Sequence, residues 1–540
     1  MFNSVTAENL RTIPPVEGVD CKRIPQILSK VYALVVGLKT KYEVGTLNFE
    51  PKEIEEDFRL LNDLAFTLEL YLESGKFEEQ RTAIAFVAAM SHKLSWKLKT
   101  QETDSLMFDN VPSILISVLM FVIGGYIADA EELTYEINKG KEESDAAWRL
   151  KQDIILLVRG KLKGFINAPQ TSIKETTLDG YAYDLLWNQL SMGIKELAKR
   201  LLGEDAENYR TYYKRVVELA VYVDEDTGTK YDFTGISRLA RMLIIASEVL
   251  EKQSVLKVID GFITTTQHYD MIKNIVALRP YLWLNHIDAI GRGFLKGGVS
   301  SVITFPTGAG KSTLAELKII QQVSIGGKVV YIVPTHALEN QVKNNMSRLL
   351  GLEEYKDLSI GREFTFEEDE EQPVMVMTPE RCSTLLALNP SLFNDVTLVM
   401  MDEFHIIGED GHRSLGAMYC LVSLLSLRPQ ADFVLVSAMV ENGTEIAGWI
   451  SDATGRECID LSMAWKPTSQ LQGCIVYSMV QRDALQKLAD EDKMNRGKRK
   501  NPSASLKRSL LADPYCLFCL CNTWESNDMP EGQVSGISLN

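Results

Sequence analysis

The sequence predicts an α/β fold: a parallel-sheet domain preceded by a large all-α N-terminal region. Three observations carry this. Apolar residues recur every three or four positions up to about residue 265, as in RIPQILSKVYALVVGLKT and YDLLWNQLSMGIKELAKRLL. From Ser301 onward, short β-rich runs alternate with helix-like stretches. The first of those runs leads into a glycine-bearing loop, PTGAGKS, and then into the helical pattern STLAELKIIQQVS.

At 540 residues the chain is too long for one ordinary core, which points to about two to four domains. Its hydrophobic fraction of 45% is that of a globular chain. A net charge of −16 and a pI near 5.1 argue against a surface coated in basic residues, so nucleic-acid contact is expected only in a local groove. Of the eight cysteines, five stand alone (Cys21, Cys382, Cys420, Cys458, Cys474), as reduced core residues of a cytoplasmic protein would. The opening MFNSVTAENLRTIPPVEG has no basic stretch followed by an apolar run, so no secretory signal is expected.

About eight to ten helices are expected in the first half, separated by polar breaks such as LESGKFEEQ and DEDTGTKYDFTG. No fixed-period repeat appears, which favours a packed scaffold over a solenoid. Val111 to Ala130, VPSILISVLMFVIGGYIADA, is uncharged through Ala128 and reaches the lower limit for crossing a bilayer. Pro112, the pair Gly124 and Gly125, and the lack of an aromatic or basic belt favour a buried helix, with no membrane contact.

The runs SVITF, KVVYIVP, VMVMTP, TLVMMDE and FVLVSAM, each followed by a loop and a helix-like segment, read as parallel strands covered on both faces. Ligands of such sheets collect at the carboxyl ends of the strands. The acidic run Glu367 to Gln372 reads as a solvated loop, and the basic stretch Lys493 to Arg508 as a linker rather than a phosphate-binding tail. Cys516, Cys519 and Cys521 make half of a zinc spacing without a fourth ligand, so a strand with incidental cysteines is expected there.

PTGAGKS ends a strand and opens a helix, so its backbone N–H groups and the helix N-terminus face a polyphosphate, with glycine allowing close approach. The candidate nucleotide-binding residues are Thr307, Gly308, Ala309, Gly310, Lys311, Ser312 and Thr313. Lys311 is expected to reach the β- and γ-phosphates and Ser312 to offer its hydroxyl to Mg²⁺. Phe305 stands where the usual pattern has its first small residue. About 90 residues further on, TLVMMDEFH ends an apolar strand in Asp402 and Glu403, a pair suited to holding Mg²⁺ through the first acid and a hydrolytic water through the second.

Together FPTGAGKSTLAELKI, VVYIVPTHALENQ, VMVMTPERCSTLL, LVMMDEFHIIGEDGHRSLG and FVLVSAMVENGTEIAGWI resemble the successive motifs of a superfamily 2 helicase of the DEAD/DEAH-box type. The DEFH variant and the serine-alanine motif are most similar to the superkiller-like branch. The resemblance covers roughly Met271 to Met479, about two-fifths of the chain. A long helical half before such a lobe also resembles antiphage helicase subunits of the Hachiman type.

The resemblance implies a RecA-like first ATPase lobe that uses ATP and Mg²⁺ and acts on DNA or RNA. Within it, Lys311 and Ser312 are expected to bind phosphate and metal, Asp402 to hold the metal and Glu403 to polarise the attacking water. His405 is implied to link the γ-phosphate to the coupling segment Ser437, Ala438 and Met439, where Met439 replaces the usual threonine. Thr335, Asn340, Thr378 and Arg381 match positions that touch the nucleic-acid backbone. Arg413 is implied to buttress the DEFH loop.

Two departures stand out. His286 occupies the place where the family often has a glutamine that reads adenine, and no Gln-x-x-Gly-Arg-x-x-Arg segment supplies an arginine finger. The expected organisation is a helical region over 1–265, the ATP-binding lobe over 271–480, and a basic linker with an incomplete start of a second lobe over 481–540. The alternative to a working helicase is a nucleotide-gated binding module with little turnover. A protein partner is expected, if anywhere, on the helical region.

Overall fold

A computed structural model describes residues 21–44, 51–98, 106, 110–137, 145–168, 177–223, 228, 230–263, 269–351, 373–408, 412–438, 440–463, 473–496, 514–519 and 535–538. Up to residue 263 the described residues hold ten α-helices. They are α1 (Ile24–Val44), α2 (Pro51–Glu73), α3 (Arg81–Leu98), α4 (Ser113–Ile123), α5 (Ile127–Thr134), α6 (Asp145–Val158), α7 (Leu178–Leu202), α8 (Tyr209–Leu219), α9 (Thr234–Lys252) and α10 (Val255–Ile259). Neighbours in sequence pack as neighbours in space, α2 on α3, α6 on α7, α7 on α8 and α8 on α9.

The apolar run that reaches membrane length is cut in two by its own glycines. Helix α4 is buried along its length between α3 and α9. Gly125 then takes a positive φ of 80°, and a Cβ there would lie 3.0 Å from Gln253 Nε2, so only glycine lets the chain turn into α5, which packs on α6. Among the described residues, no helix is long and apolar enough to cross a membrane.

The region is not purely helical. Val221–Val223 (β1) and Lys230–Asp232 (β2) pair antiparallel, β1 just before and β2 within what reads as a polar break. One buried cluster of charges joins three helices. Arg238 on α9 grips Glu69 on α2 with two hydrogen bonds of 2.8 and 2.6 Å, His92 on α3 contacts the same carboxylate, and the guanidinium lies 4.2 Å over the Phe66 ring. Burial alone would raise the Glu69 pKa; the Arg238 and His92 charges overcome it and bring it down to about 2.

Helices α11 (Tyr269–Leu278) and α12 (Leu284–Gly291) lead into a six-stranded sheet. Its strands are β3 (Ser300–Ile303), β4 (Lys328–Ile332), β5 (Val374–Met377), β6 (Val396–Asp402), β7 (Asp432–Val436) and β8 (Cys458–Leu461), all parallel, in the order β5-β4-β6-β7-β3-β8. The connecting helices are α13 (Lys311–Ser324), α14 (His336–Leu350), α15 (Pro379–Leu388), α16 (His412–Leu427) and α17 (Gly443–Thr454). This is the α/β lobe expected, with a RecA-like strand, loop and helix rhythm.

The strand pleat assigns alternate residues to two cores. Val329, Tyr331, Leu398 and Met400 join the core shared with α13, α14 and the whole helical region. Val330, Ile332, Val399 and Met401 join a second core under α15, α16 and α17. Strand β9 (Gly473–Tyr477), which falls inside the expected 271–480 lobe, pairs with β10 (Pro514–Cys519), and β10 with β11 (Ser535–Ser538), in a separate antiparallel sheet. Between β9 and β10 comes α18 (Met479–Arg496). Cys516 and Cys519 lie on β10, as a strand reading requires; Cys521, Glu367 to Gln372 and the basic residues beyond Arg496 fall outside the described residues.

Candidate nucleotide site

Parallel order brings three segments to one edge of the sheet. Ile303 pairs with Val436 and Val436 with Asp402, so the loop after β3, Ser437 after β7, and the Asp402–Glu403 pair at the end of β6 lie side by side. The Ser437 N–H donates to the Ile303 carbonyl at 2.9 Å and carries the ladder one residue past the strands.

The loop itself is anchored at its ends and open at its tip. Phe305 is buried in the main core, which explains how a large residue stands at the start of this loop. Thr307, Gly308 and Ser312 are exposed. Gly308 and Gly310 have φ of 81° and 77°, the left-handed conformation that aligns successive N–H groups ahead of α13. Lys311 Nζ donates to the Phe305 carbonyl at 3.2 Å. Burial lowers its pKa, against the pull of the Glu403 and Asp402 carboxylates.

Burial raises the Asp402 pKa, helped by the like charge of Glu403 and opposed by the Glu403 N–H, which donates to Asp402 Oδ1 at 2.9 Å. Tyr331, buried on β4, lies against the same carboxylate. Glu403 has a φ of 49°, and among the described residues it is the only non-glycine with a positive φ. Such strain persists only where the surroundings enforce it. His405 Nδ1 sits 3.1 Å from Ser437 Oγ and 3.2 Å from Glu403 Oε2, so one imidazole bridges the acid pair and the segment after β7. Met439 lies outside the described residues.

His286 does not present the edge expected of an adenine reader. Its Nδ1 accepts the Trp283 N–H at 3.2 Å, leaving Nε2–H to donate to the Gly310 carbonyl at 3.1 Å. The ring is stacked on Trp283 and only 3% exposed. Burial pushes its pKa down to about 4, consistent with the neutral form these two bonds require. Both nitrogens serve the chain, and the residue holds the loop.

The four candidate nucleic-acid contacts cluster at the carboxyl ends of β4 and β5. Thr335 caps α14, accepting from the Leu338 N–H, and Thr378 caps α15, accepting from the Arg381 N–H. Thr378 is buried, so its hydroxyl serves the helix rather than a ligand. Asn340 is exposed, while Arg381 Nη1 donates to Glu339 at 3.3 Å. Arg413 at the start of α16 donates to the Pro334 carbonyl, and Ser414 donates to the Ile407 carbonyl, bracing the turn after Glu403. Sequence reasoning missed Tyr331, Asn285 and Arg279; each reaches the site from an element whose pattern reads as ordinary core or helix end.

A glycine loop opening α13, an acid pair at the end of β6 and an imidazole bridge thus meet at one end of the sheet, the arrangement of a candidate P-loop nucleotide site. Residues 288–445 match the family model for the DEAD/DEAH box helicase. It is similar to the ATP-dependent DNA helicase Hel308 of Thermoplasma volcanium, 29% identical over 155 residues, which cover 28% of this chain and 23% of that one. It is also similar to the Hachiman protein HamB of Bacillus cereus, 28% identical over 186 residues, covering 32% of this chain and 16% of that one. The chain thus spans less than a quarter of the length of these curated relatives. Among solved structures it overlaps the DUF1998 helicase MrfA at 18% identity and a TM-score of 0.31, over 46% of this chain and 40% of that one.

Proposed function

We propose that this lobe binds and hydrolyses ATP, and that the protein uses the hydrolysis to move along or remodel DNA or RNA. The observation that carries the reading is the meeting of Lys311, Asp402, Glu403, His405 and Ser437 at one sheet edge. The exposed loop N–H groups and Lys311 bind the phosphates. Glu403, held in a strained backbone, orients the attacking water, and His405 passes the state of that acid to Ser437 and the coupling segment with Ala438 and Met439.

Ser312 and Asp402 supply the hard oxygen donors that Mg²⁺ prefers. Among the described residues no group of three or more His, Cys, Asp or Glu could hold a metal, which suits an ion completed by phosphate oxygens and water. When bound there, Mg²⁺ supplies charge neutralisation at the phosphates.

Thr335, Asn340 and Arg381, with the α14 and α15 N-termini, form the side offered to a nucleic-acid backbone, a contact of the sequence-independent, salt-sensitive kind. The similarity to a Hachiman protein and to DNA helicases supports a place in antiphage defence acting on nucleic acid. We read 1–265 as the region that receives any protein partner.

ATP turnover by the full chain, with and without single-stranded DNA or RNA, tests this. Lys311→Ala is expected to abolish nucleotide binding, and Glu403→Gln to keep binding while lowering turnover by at least about 100-fold, the usual range for loss of a positioned acid or base. Parent-like hydrolysis by Glu403→Gln would sink the role given to that carboxylate. Tight binding without turnover in the parent would favour the nucleotide-gated module.

A further inference from the structure

We propose that residues 279–286 form a brace through which the helical region sets the shape of the nucleotide loop, with Asn285 and Arg279 as positioning residues. The inference rests on the nucleotide reading of that loop and adds to it a control from outside the α/β lobe.

The brace is tied at both ends. On the helical side, the Val255 N–H donates to the Pro280 carbonyl at 3.0 Å, the Leu282 N–H donates to the Gln253 carbonyl at 2.8 Å, and the Tyr281 hydroxyl donates to the Leu157 carbonyl at 3.0 Å. The end of α6 comes so close that a Cβ on Gly160 would lie 2.9 Å from Pro280. On the loop side, Asn285 Nδ2 donates to the Ala309 carbonyl at 2.7 Å, next to the His286 bond to Gly310. A Cβ on Gly310 would fall 2.4 Å from His286 and 3.0 Å from Trp283, so the loop is seated directly on the brace. Arg279 Nη1 donates to Thr313 Oγ1 at 3.0 Å and pairs with Glu316, fastening the first turn of α13 to the end of α11.

Asn285 is the telling residue. It is fully buried, and the Ala309 carbonyl forces its NH₂ toward the loop, which leaves Oδ1 with no hydrogen-bond partner. A buried amide whose oxygen goes unbonded is retained against a desolvation cost, and among the described residues its side-chain bond is to the nucleotide loop. The path runs without a break from α6 and α9 through 280–282 to Ala309 and Gly310.

The test compares Asn285→Ala, Arg279→Gln and Tyr281→Phe in the full chain, reading the Kd for a fluorescent ATP analogue and hydrogen exchange over 304–313. Loss of one loop-directed hydrogen bond in Asn285→Ala or Arg279→Gln should raise Kd about three- to tenfold and speed loop exchange. Tyr281→Phe, which keeps the ring and loses only the bond to Leu157, should shift both in the same direction. Parent values of Kd and loop exchange in Asn285→Ala and Tyr281→Phe would overturn the brace, whatever happens to thermal stability. If the parent binds no nucleotide, the nucleotide reading fails, and exchange of the loop in the nucleotide-free chain still decides the brace.

Discussion

His286 shows how one buried ring ties ionisation to the shape of the site. Its pKa in the folded chain is about 4 against 6.5 for a free imidazole, so between those values the unfolded chain holds the extra proton. Stability therefore falls as pH drops through 6.5 towards 4. From pH 7.5 to 5 the loss from this residue is about 2 kcal/mol. Urea titrations at the two pH values should show that increment in the parent and not in His286→Gln; equal pH dependence in both would refute it. Glu69 acts lower on the scale. Its folded pKa of about 2 lies below 4.5, so the stability it lends above pH 4.5 is lost as pH falls from there towards 2.

At the scale of elements, Asp432 joins three of them at the amino end of β7. It receives Lys318 of α13 at 3.1 Å and Arg456, just past α17, at 2.8 Å, with Lys318 also bonded to the carbonyls of Phe294 and Lys296. Lys318 and Asp432 are almost fully buried, and Asp432 is the acid that Lys318 pairs with, so Asp432→Ala should cost about 3–5 kcal/mol by stranding the ammonium among carbonyls. A chemical denaturation midpoint unchanged by that substitution would contradict it. The elements themselves were unevenly legible. Strands β3 to β7 stand out as apolar runs because both faces are covered, whereas β8, CIDL, is a short edge strand with an acid in it and offers no such run. The pair β1–β2 was masked by the polar break between and over it, although VYV and KYD carry a weak strand signal. The loop and acid pair were legible because their chemistry sits in contiguous residues. Asn285 and Arg279 were not, since only the fold brings them to Ala309 and Thr313.

For the molecule as a whole, the decisive fact is that one apolar core runs from Ile24 on α1 to Leu461 on β8. Helical region and lobe bury the same surface, so they should lose structure together. Hydrogen exchange followed through a urea series is expected to give peptides of α4 and of β6 one shared midpoint; two separated midpoints would mean independent units. The net charge of −16 leaves nucleic-acid affinity to a few local cations, so the expected salt dependence is shallow, about one unit of log–log slope per phosphate contact.

The brace also has a direction in time. Leu157, Gln253 and Val255 are all synthesised before Pro280 to Leu282, and those before Ala309 and Gly310. Both anchors of the brace therefore leave the ribosome before the loop that rests on it, while the core they share with the lobe is completed only once β8 has followed.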